Sequence, residues 1–352
     1  MIFLFDSSSN SIDAGHENFY NESLVKVINQ SHEYQIIKPF QNIRRNNLSR
    51  IIIFLITFFF FLKVPNKKEN ILILPSPSTH DTVTIFLLLF FKRIKIIYFK
   101  RRLFLNKTIK GKILNLLMEC LYKKRNILFV SDSNLILKKI KSVNSKFKIS
   151  IPKRKIQKFE PEEQINFLNL DFKPVFAFSG VMRNEKGIKL YDEIIDLTLD
   201  TIENSFFVVH GVYLDNKMKT YYDRLKSKYK QNNRTMFIDR FLTEEEYSWF
   251  VGAIDVMVLP YDVELYSSGT SGPMQETLSS GGSVISTKLE WAMDEFDEQN
   301  KIFWMDNYDM ESYEESLEKF ILKGYNNNDS QINLSTFKED WDKTIKYAIH
   351  LS

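Results

Sequence analysis

Two α/β domains, each built on a buried parallel sheet with helices on both faces, are predicted by three features of the sequence. The 352 residues suit two domains better than one. Strand-like segments that are apolar throughout alternate with segments of helical length, which is typical of βαβ units. The alternation fails once, over the polar and proline-containing residues 152–171, which we interpret as a linker. We therefore expect domains at 1–155 and 172–335, followed by a C-terminal helix at 336–352.

The elements follow from the hydrophobic patterns in chain order. In the first half, strands are predicted at MIFLFDSS, EYQIIKP, NILILPSP, KIIYFKRR and NILFVSDS. Helices are predicted at 17–30, 49–63, 79–93 and 110–124, and another is predicted to open after NILFVSDS. In the second half, strands are predicted at VFAFSG, SFFVVHG, TMFIDR, DVMVLPY, SVIST and KIFWM, and helices at 187–199, 217–230, 243–251 and from Pro273. The ending STFKEDWDKTIKYAIHLS is predicted to be the last helix.

Composition and charge limit the class of protein. One cysteine excludes an intrachain disulfide and fits a reducing compartment. The start MIFLFDSSSNS has no basic segment before its short apolar run, so we expect no signal peptide and a cytoplasmic protein. The formal net charge of +4 hides an asymmetry, because residues 92–125 hold 12 Lys and Arg and only one acidic residue.

The longest apolar run, residues 51–62, is too short to span a bilayer. Its twelve residues would rise about 18 Å as a helix, against a hydrocarbon core of about 30 Å. A buried core helix and a segment lying in the membrane interface are both compatible with such a run.

A glycine turn with two cations follows the strand VFAFSG. Gly180 ends the strand, and Arg183 and Lys186 precede the next helix. Ammonium and guanidinium groups beside a helix N-terminus favour an anionic group such as a diphosphate. A solvated basic turn is the alternative for a pair of this kind.

Four of the 11 glycines lie in YSSGTSGPMQETLSSGG, residues 266–282. Gly272 and Pro273 suit the start of a helix, and Gly281 with Gly282 suit its end two turns later. The loop SSGTSG would then lead into a helix N-terminus, which favours an anion. Glu276 lies one turn into that helix, where it would either complement the helix dipole or accept hydrogen bonds from ribose or sugar hydroxyls.

Taken together, SGVMRNEKG, VVHG, FIDRFLTEEEYSWFVGAIDVMVLPY and SSGTSGPMQETLSSGGSVIST resemble the nucleotide-sugar-binding domain of glycosyltransferase family 4. The resemblance covers residues 175–287. It implies the GT-B fold, with two facing Rossmann-like, doubly wound domains and a C-terminal crossover helix.

The resemblance also implies a donor site for a nucleoside diphosphate sugar of the UDP or GDP type. Arg183 and Lys186, with the turn glycine Gly180, would hold the diphosphate, and Glu276 would bind the ribose. The other implied donor positions are Gly211 in the strand VVHG, the nucleobase segment Arg240, Phe241 and Leu242, and the phosphate and sugar loop Ser267, Ser268, Gly269 and Thr270.

Family members retain the anomeric configuration and need no divalent metal, so we expect no cofactor and no metal site. Many of them carry a second glutamate eight residues before the first, and this chain has Ser268 there. That departure leaves the transferred sugar open and admits a non-catalytic, nucleotide-sugar-binding or membrane-binding subunit as the alternative function.

The acceptor side resembles the family only in pattern. Gly15 and His16 lie at the turn after the first strand, where an acceptor would bind, and His80 lies at the end of another strand. We predict His16 and His80 as catalytic candidates, with helix capping by Thr79 and Asp81 as the alternative for the second site.

The cationic residues 92–125 alternate with apolar ones, which favours an anionic membrane surface over a merely solvated face. No recognition motif for nucleic acid accompanies the charge. We therefore expect a glycosyltransferase at the inner face of the cell membrane that acts on a glycan or lipid-linked acceptor.

Overall fold

The computed structural model describes residues 1–6, 15–39, 49–101, 109–150, 152, 172–213, 215–266, 269–296, 301–323 and 337–351, with backbone only for 15–19 and 50. These residues form two compact units. The first contains the N-terminal half together with Gly269, Thr270 and the C-terminal helix. The second contains the remainder of the C-terminal half.

The first unit is built on a six-stranded parallel sheet with the order β2-β1-β3-β4-β5-β6. Its strands are β1 (Ile2–Phe5), β2 (Tyr34–Ile37), β3 (Ile71–Leu74), β4 (Lys95–Phe99), β5 (Ile127–Ser131) and β6 (Lys146–Lys148). Its helices are α1 (Gly15–Asn29), α2 (Arg50–Lys63), α3 (Thr79–Leu88), α4 (Ile109–Tyr122), α5 (Asn134–Lys139) and α13 (Phe337–Ile349). The strand order reverses between β1 and β3, so the crevice of this sheet lies at their carboxyl ends.

Each face of the first sheet is covered by its own helices. Helices α2, α3 and α4 bury Phe61, Leu88 and Met118 in the core on one face. Helices α1 and α13 bury Leu24 and Ile345 in the core on the other face. A sheet covered on both faces explains why its strands are apolar without alternation.

The C-terminal helix α13 is an integral part of the first unit. Trp341 is fully buried, and its Nε1 donates a hydrogen bond to Tyr20 Oη at 3.2 Å. Asp340 Oδ2 accepts hydrogen bonds from Ser150 N at 2.9 Å and from Ser150 Oγ at 2.6 Å. The chain thus returns to the first sheet after it has formed the second.

The second unit is built on another six-stranded parallel sheet, with the order β12-β11-β10-β7-β8-β9. Its strands are β7 (Val175–Val181), β8 (Phe206–Val212), β9 (Thr235–Ile238), β10 (Val256–Leu259), β11 (Ser283–Thr287) and β12 (Ile302–Met305). Its helices are α6 (Tyr191–Thr201), α7 (Asn216–Lys228), α8 (Glu244–Ala253), α9 (Val263–Tyr266), α10 (Gly272–Ser279), α11 (Glu290–Phe296) and α12 (Met310–Lys323). Counted from β7, the first strand of the unit, the order is that of a dinucleotide-binding sheet, with the reversal between β7 and β10.

The predicted class of two doubly wound α/β domains with a returning C-terminal helix is confirmed by these sheets. Four elements were not predicted, namely β6, α9, α11 and α12. Helix α3 ends at Leu88, five residues before the predicted end at Arg93. Within the described part of the chain, no helix is both long and apolar enough to cross a membrane.

Candidate functional site

The turn after β7 holds Lys186 against the end of that strand. Gly180 has φ +107°, and a Cβ at this position would lie 2.6 Å from Lys186 Nζ. The ammonium group donates a hydrogen bond to Ser179 O at 3.3 Å. Glycine is therefore needed here for its backbone conformation, and its lack of a side chain leaves room for the ammonium group.

Gly187 fixes the same turn on the end of β10. It has φ +75°, and a Cβ there would lie 1.7 Å from Pro260 O, so only glycine lets the two backbones approach. Asp262 N also donates a hydrogen bond to Glu185 O at 3.0 Å. This turn carries both predicted cations, Arg183 and Lys186, and we call it the cationic turn. It is thus attached to the two strands that flank the reversal of the sheet.

Arg183 precedes this turn in an extended conformation, with φ −150°. Its Nη1 lies 3.7 Å from Glu185 Oε1, and both side chains are partly exposed. A long, partly solvated ion pair contributes little to stability. The guanidinium group can therefore turn to an anionic ligand at small cost.

Helix α10 begins at Gly272, one residue before the predicted start at Pro273, and its N-cap is Ser271. Ser271 Oγ accepts a hydrogen bond from Met274 N at 3.3 Å, and Tyr261 Oη lies 2.8 Å from Ser271 Oγ. Proline has no amide hydrogen and the Met274 amide is already bonded. Among the first three residues of the helix, only the Gly272 amide is left for an anion, so the preceding loop must supply further donors.

Glu276 lies on α10 and is 3% exposed. Tyr247 Oη, on α8, donates a hydrogen bond to Glu276 Oε2 at 3.1 Å. Helix α10 packs against α8, β10 and β11, so the carboxylate is held between rigid elements. A fixed, nearly buried carboxylate is suited to accept hydrogen bonds from hydroxyls of a ligand.

His210, on β8 beside the cationic turn, is a site residue that the sequence analysis missed. Its Nδ1 lies 3.2 Å from Ser179 Oγ and its Nε2 lies 3.2 Å from Arg240 O. Because a carbonyl only accepts, Nε2 carries the proton and Nδ1 accepts from the serine. Burial lowers the pKa of His210 to about 4, and the nearby charges of Lys186 and Arg240 act in the same direction. A histidine next to a strand-ending glycine in VVHG was the available signal.

The neutral state of His210 makes the stability of the protein depend on pH. The folded-state pKa is below the ordinary value of 6.5, so this stabilisation is complete above pH 6.5 and is lost as the pH falls towards 4. We expect a loss of about 1.5 kcal/mol between pH 6.5 and 5, measured by urea unfolding followed by tryptophan fluorescence. His210→Gln removes the titrating group and should flatten this slope. An equally steep slope in the variant would contradict the assignment.

The Arg240 guanidinium group forms a two-pronged ion pair with Glu246. Its Nη1 and Nη2 donate to Glu246 Oε2 and Oε1, both at 2.7 Å. Hydrogen bonds from Arg240 hold the pKa of Glu246 below its ordinary value, and Glu246 raises the pKa of Arg240. Glu246 also forms a capping box with Thr243 at the start of α8. The predicted nucleobase segment, which continues through the half-buried Phe241 and Leu242, is therefore a rigid, capped turn.

The remaining predicted donor residues lie in different settings. Gly211 is buried, and a Cβ there would lie 2.8 Å from the Tyr222 ring and 2.9 Å from Met182 Sδ, so its glycine is required by packing. Gly269 and Thr270 are grouped with the first unit. Ser267 and Ser268 lie outside the described residues.

The predicted acceptor residues all belong to the first unit. Gly15 and His16 open α1 after β1, and His80 is the second residue of α3, which follows β3. These two helices start at the carboxyl ends of the strands that flank the reversal of the first sheet. The cap of α3 is Ser78, in a capping box with the buried Asp81, so capping accounts for Asp81 but not for His80.

Solved structures with the same fold cover nearly the whole chain. The S. aureus MnaA–UDP co-structure has a TM-score of 0.68 and 13% identity, and the match covers 100% of this chain and 97% of that one. An E. coli structure described as trehalose-6-phosphate bound with UDP-2-fluoro glucose has a TM-score of 0.68 and 10% identity, with 100% and 99% covered. Sucrose-phosphate synthase from Thermosynechococcus elongatus has a TM-score of 0.66 and 12% identity, with 99% and 94% covered. At these identities the likeness shows the fold.

Sequence comparison gives the family. No curated protein sequence matches the chain significantly. The profile of the family described as glycosyl transferases group 1 matches residues 160–335, which is half of the 352 residues. The matched region contains the cationic turn, His210 and Glu276. The chain therefore belongs to the family of group 1 glycosyl transferases.

Proposed function

We propose that the protein transfers a sugar from a nucleoside diphosphate donor, of the UDP or GDP type, to a glycan acceptor. The transfer would be of the family 4 kind, with retention of the anomeric configuration and without a divalent metal. The observation that carries the proposal is the attachment of the cationic turn to the ends of β7 and β10, at the reversal of the second sheet. That is where doubly wound sheets bind nucleotides.

The donor class follows from the chemistry of the residues at this edge. Lys186 and Arg183 supply positive charge for a diphosphate, and Glu276 supplies an acceptor for hydroxyls of ribose. UDP or a UDP-sugar is bound in two of the structures that share the fold, which supports the same class of ligand here.

In the reaction, the bond between the anomeric carbon and the leaving diphosphate breaks while the acceptor oxygen bonds to that carbon. Negative charge grows on the diphosphate as this happens, and the Lys186 ammonium and the Arg183 guanidinium would stabilise it. The acceptor proton passes to the departing phosphate, on the same face of the sugar, which preserves the configuration. In this scheme the Lys186 and Arg183 cations supply the positive charge that a metal ion supplies in other enzymes.

We further propose that the acceptor is lipid-linked, as in a precursor of a bacterial surface polysaccharide, and that the enzyme works at the cytoplasmic face of the membrane. His16 and His80, at the reversal of the first sheet, are the candidate groups for acceptor binding or proton transfer. The cationic residues 92–125 support a membrane rather than a nucleic acid as the larger partner.

The donor assignment is tested through Glu276 and Tyr247. We expect UDP-sugars or GDP-sugars to raise the melting temperature of the wild type, and membrane extracts to accept the labelled sugar. Glu276→Gln should raise KM for the donor about tenfold or more. Tyr247→Phe, which removes only the hydrogen bond to the carboxylate, should raise KM by a smaller factor with kcat little changed.

Glu264→Gln is the matched control, because Glu264 is exposed on α9 and is expected to leave KM unchanged. Binding of nucleotide without hydrolysis or transfer by any variant, the wild type included, would favour the alternative of a non-catalytic subunit. A wild-type KM in Glu276→Gln would refute the ribose contact.

A further inference from the structure

The exposed side chains of helix α2 are apolar, unlike those of a surface helix whose outer side faces water. Residues 51–62 contain one polar side chain, Thr57, and it is fully buried. Ile51, Leu55 and Phe59 are 72%, 44% and 60% exposed, and their spacing places them on one outward stripe. Surface helices normally carry polar residues on that side. Between residues 51 and 62, the outward face of α2 is instead entirely apolar.

The neighbouring helices continue this apolar surface. Phe90 and Phe91, just after α3, are each 68% exposed. On α4, Ile109, Ile113 and Leu116 are exposed at helical spacing. Scattered apolar residues on a surface need no explanation, whereas a run of them on adjacent elements does.

The three helices present these residues on the same side. Helix α3 packs against both α2 and α4, and all three bury their opposite faces in the core on one face of the first sheet. Their exposed stripes therefore point away from the sheet together. We call this surface, formed by the exposed residues of α2 and α4 and by Phe90 and Phe91, the apolar helical face.

Positive charge surrounds the apolar helical face. The exposed cations on it and at its edges are Lys63, Arg93, Lys110, Lys112, Lys123, Lys124 and Arg125. Glu119 is the acidic residue of α4. Lys92 has another task, because its Nζ donates hydrogen bonds to carbonyl oxygens at the C-terminal end of α2, including Leu62 O at 2.6 Å.

We propose that the apolar helical face docks into the interface of an anionic phospholipid bilayer. Its apolar side chains would enter the boundary between headgroups and acyl chains, while the surrounding Lys and Arg side chains would contact the anionic headgroups. The alternative occupant, a second copy of the chain, fits less well, because a two-fold contact would bring the same cations together. The proposal rests on the proposed function only for its biological use, which is to reach a lipid-linked acceptor.

Flotation of the full-length protein with vesicles tests the proposal. We expect the wild type to float with vesicles that contain phosphatidylglycerol and to bind pure phosphatidylcholine vesicles more weakly. Phe59→Glu and Ile113→Glu should each reduce partitioning about tenfold or more, because a carboxylate would enter the interface. Leu322→Glu is the matched control, since Leu322 is 86% exposed on α12 in the other unit, and it should float like the wild type.

Two double charge-reversal variants separate the electrostatic contribution to vesicle binding from the apolar one. Lys123→Glu with Lys124→Glu should weaken flotation with anionic vesicles, whereas Lys217→Glu with Lys230→Glu, on the other unit, should not. All four positions are exposed, and the melting temperature of each variant checks that it folds. Equal effects of the two pairs would show that only net charge matters and would overturn the assignment to this face.

Two further outcomes would also overturn the proposal. One is flotation that Phe59→Glu and Ile113→Glu leave unchanged. The other is a wild type that ignores vesicles but forms dimers in lipid-free buffer, measured by sedimentation, that these variants dissociate. Donor hydrolysis without lipid distinguishes this failure from failure of the proposed function, because the face variants should hydrolyse the donor normally. A protein that floats but never uses a nucleotide-sugar would lose the proposed function and keep the membrane surface.

Discussion

Lys186→Ala is expected to lower kcat for sugar transfer by about two to three orders of magnitude, the range seen when one group that stabilises developing oxyanion charge is removed. The ammonium group donates a hydrogen bond to Ser179 O at the end of β7 and lies over Gly180, so it is already placed at this edge of the sheet before any ligand arrives. Charge that needs no reorganisation during the reaction is the most effective kind. Steady-state release of the nucleoside diphosphate measures the effect.

Lys189→Ala is the matched control for this change. Lys189 is exposed in the next turn of the same segment, so its removal alters the net charge equally and should leave kcat within about twofold. Because Lys186 is expected to act mainly on the transition state, the fall should appear in kcat more than in donor affinity. An effect confined to KM would show that Lys186 binds the ground state and transition state equally, and would contradict the assigned role.

Gly187→Ala is expected to destabilise the second unit by about 3–5 kcal/mol and to abolish transfer at temperatures where the wild type is active. The new Cβ would collide with Pro260 O, which belongs to the backbone and cannot move aside as a side chain can. Relief of the collision requires the turn to leave the end of β10, which displaces Lys186 as well. Urea unfolding and residual donor hydrolysis measure the two effects.

Gly281→Ala distinguishes collision from backbone strain. Gly281 also has a positive φ of +94°, but a Cβ there would meet nothing within 4 Å. The free energy of unfolding of this variant should therefore fall only by the cost of the backbone strain, about 1–2 kcal/mol. Equal losses in Gly187→Ala and Gly281→Ala would show that the close approach of the two backbones has no energetic role.

The cationic turn could be predicted from sequence because its chemistry is local. A strand, a glycine and two cations within seven residues determine that the charges lie at the carboxyl edge of a sheet, and Lys186 is found there. His210 could not be identified in this way. Its hydrogen bonds to Ser179 and to Arg240 O depend on the pairing of β7 with β8 and on the position of the segment after β9, neither of which is a property of VVHG itself.

The apolar run 51–62 shows a different limit. A helix that is apolar on every side has no periodic pattern, so the sequence alone allows both a core helix and an interfacial one. The structure shows that one stripe is buried, with Thr57 and Phe61 inward, and that the opposite stripe is exposed. The helix is therefore packed on its core side and apolar on its outer side, which combines the two alternatives.

The basic region 92–125 divides in a way that its composition does not reveal. Lys100 directly follows the buried strand β4 and is only 4% exposed, and burial lowers its pKa to about 7. The Arg101 guanidinium lies 4.4 Å from the centre of the Tyr20 ring and 4.9 Å from that of the Phe99 ring. These two side chains are part of the first unit's interior at the carboxyl edge of the sheet. Among the described cations of this region, Arg93 and those of α4 and of the residues directly after it are the exposed ones.

The return of α13 to the first sheet affects how the chain folds as it is synthesised. The core that contains Leu24 on α1 stays incomplete until Trp341 and Ile345 have emerged from the ribosome, by which time the whole second sheet is available to fold. The domain that is translated first is thus the one that finishes last. Until then an apolar surface of the nascent first unit remains open, and transiently exposed apolar surface of this kind is prone to aggregate.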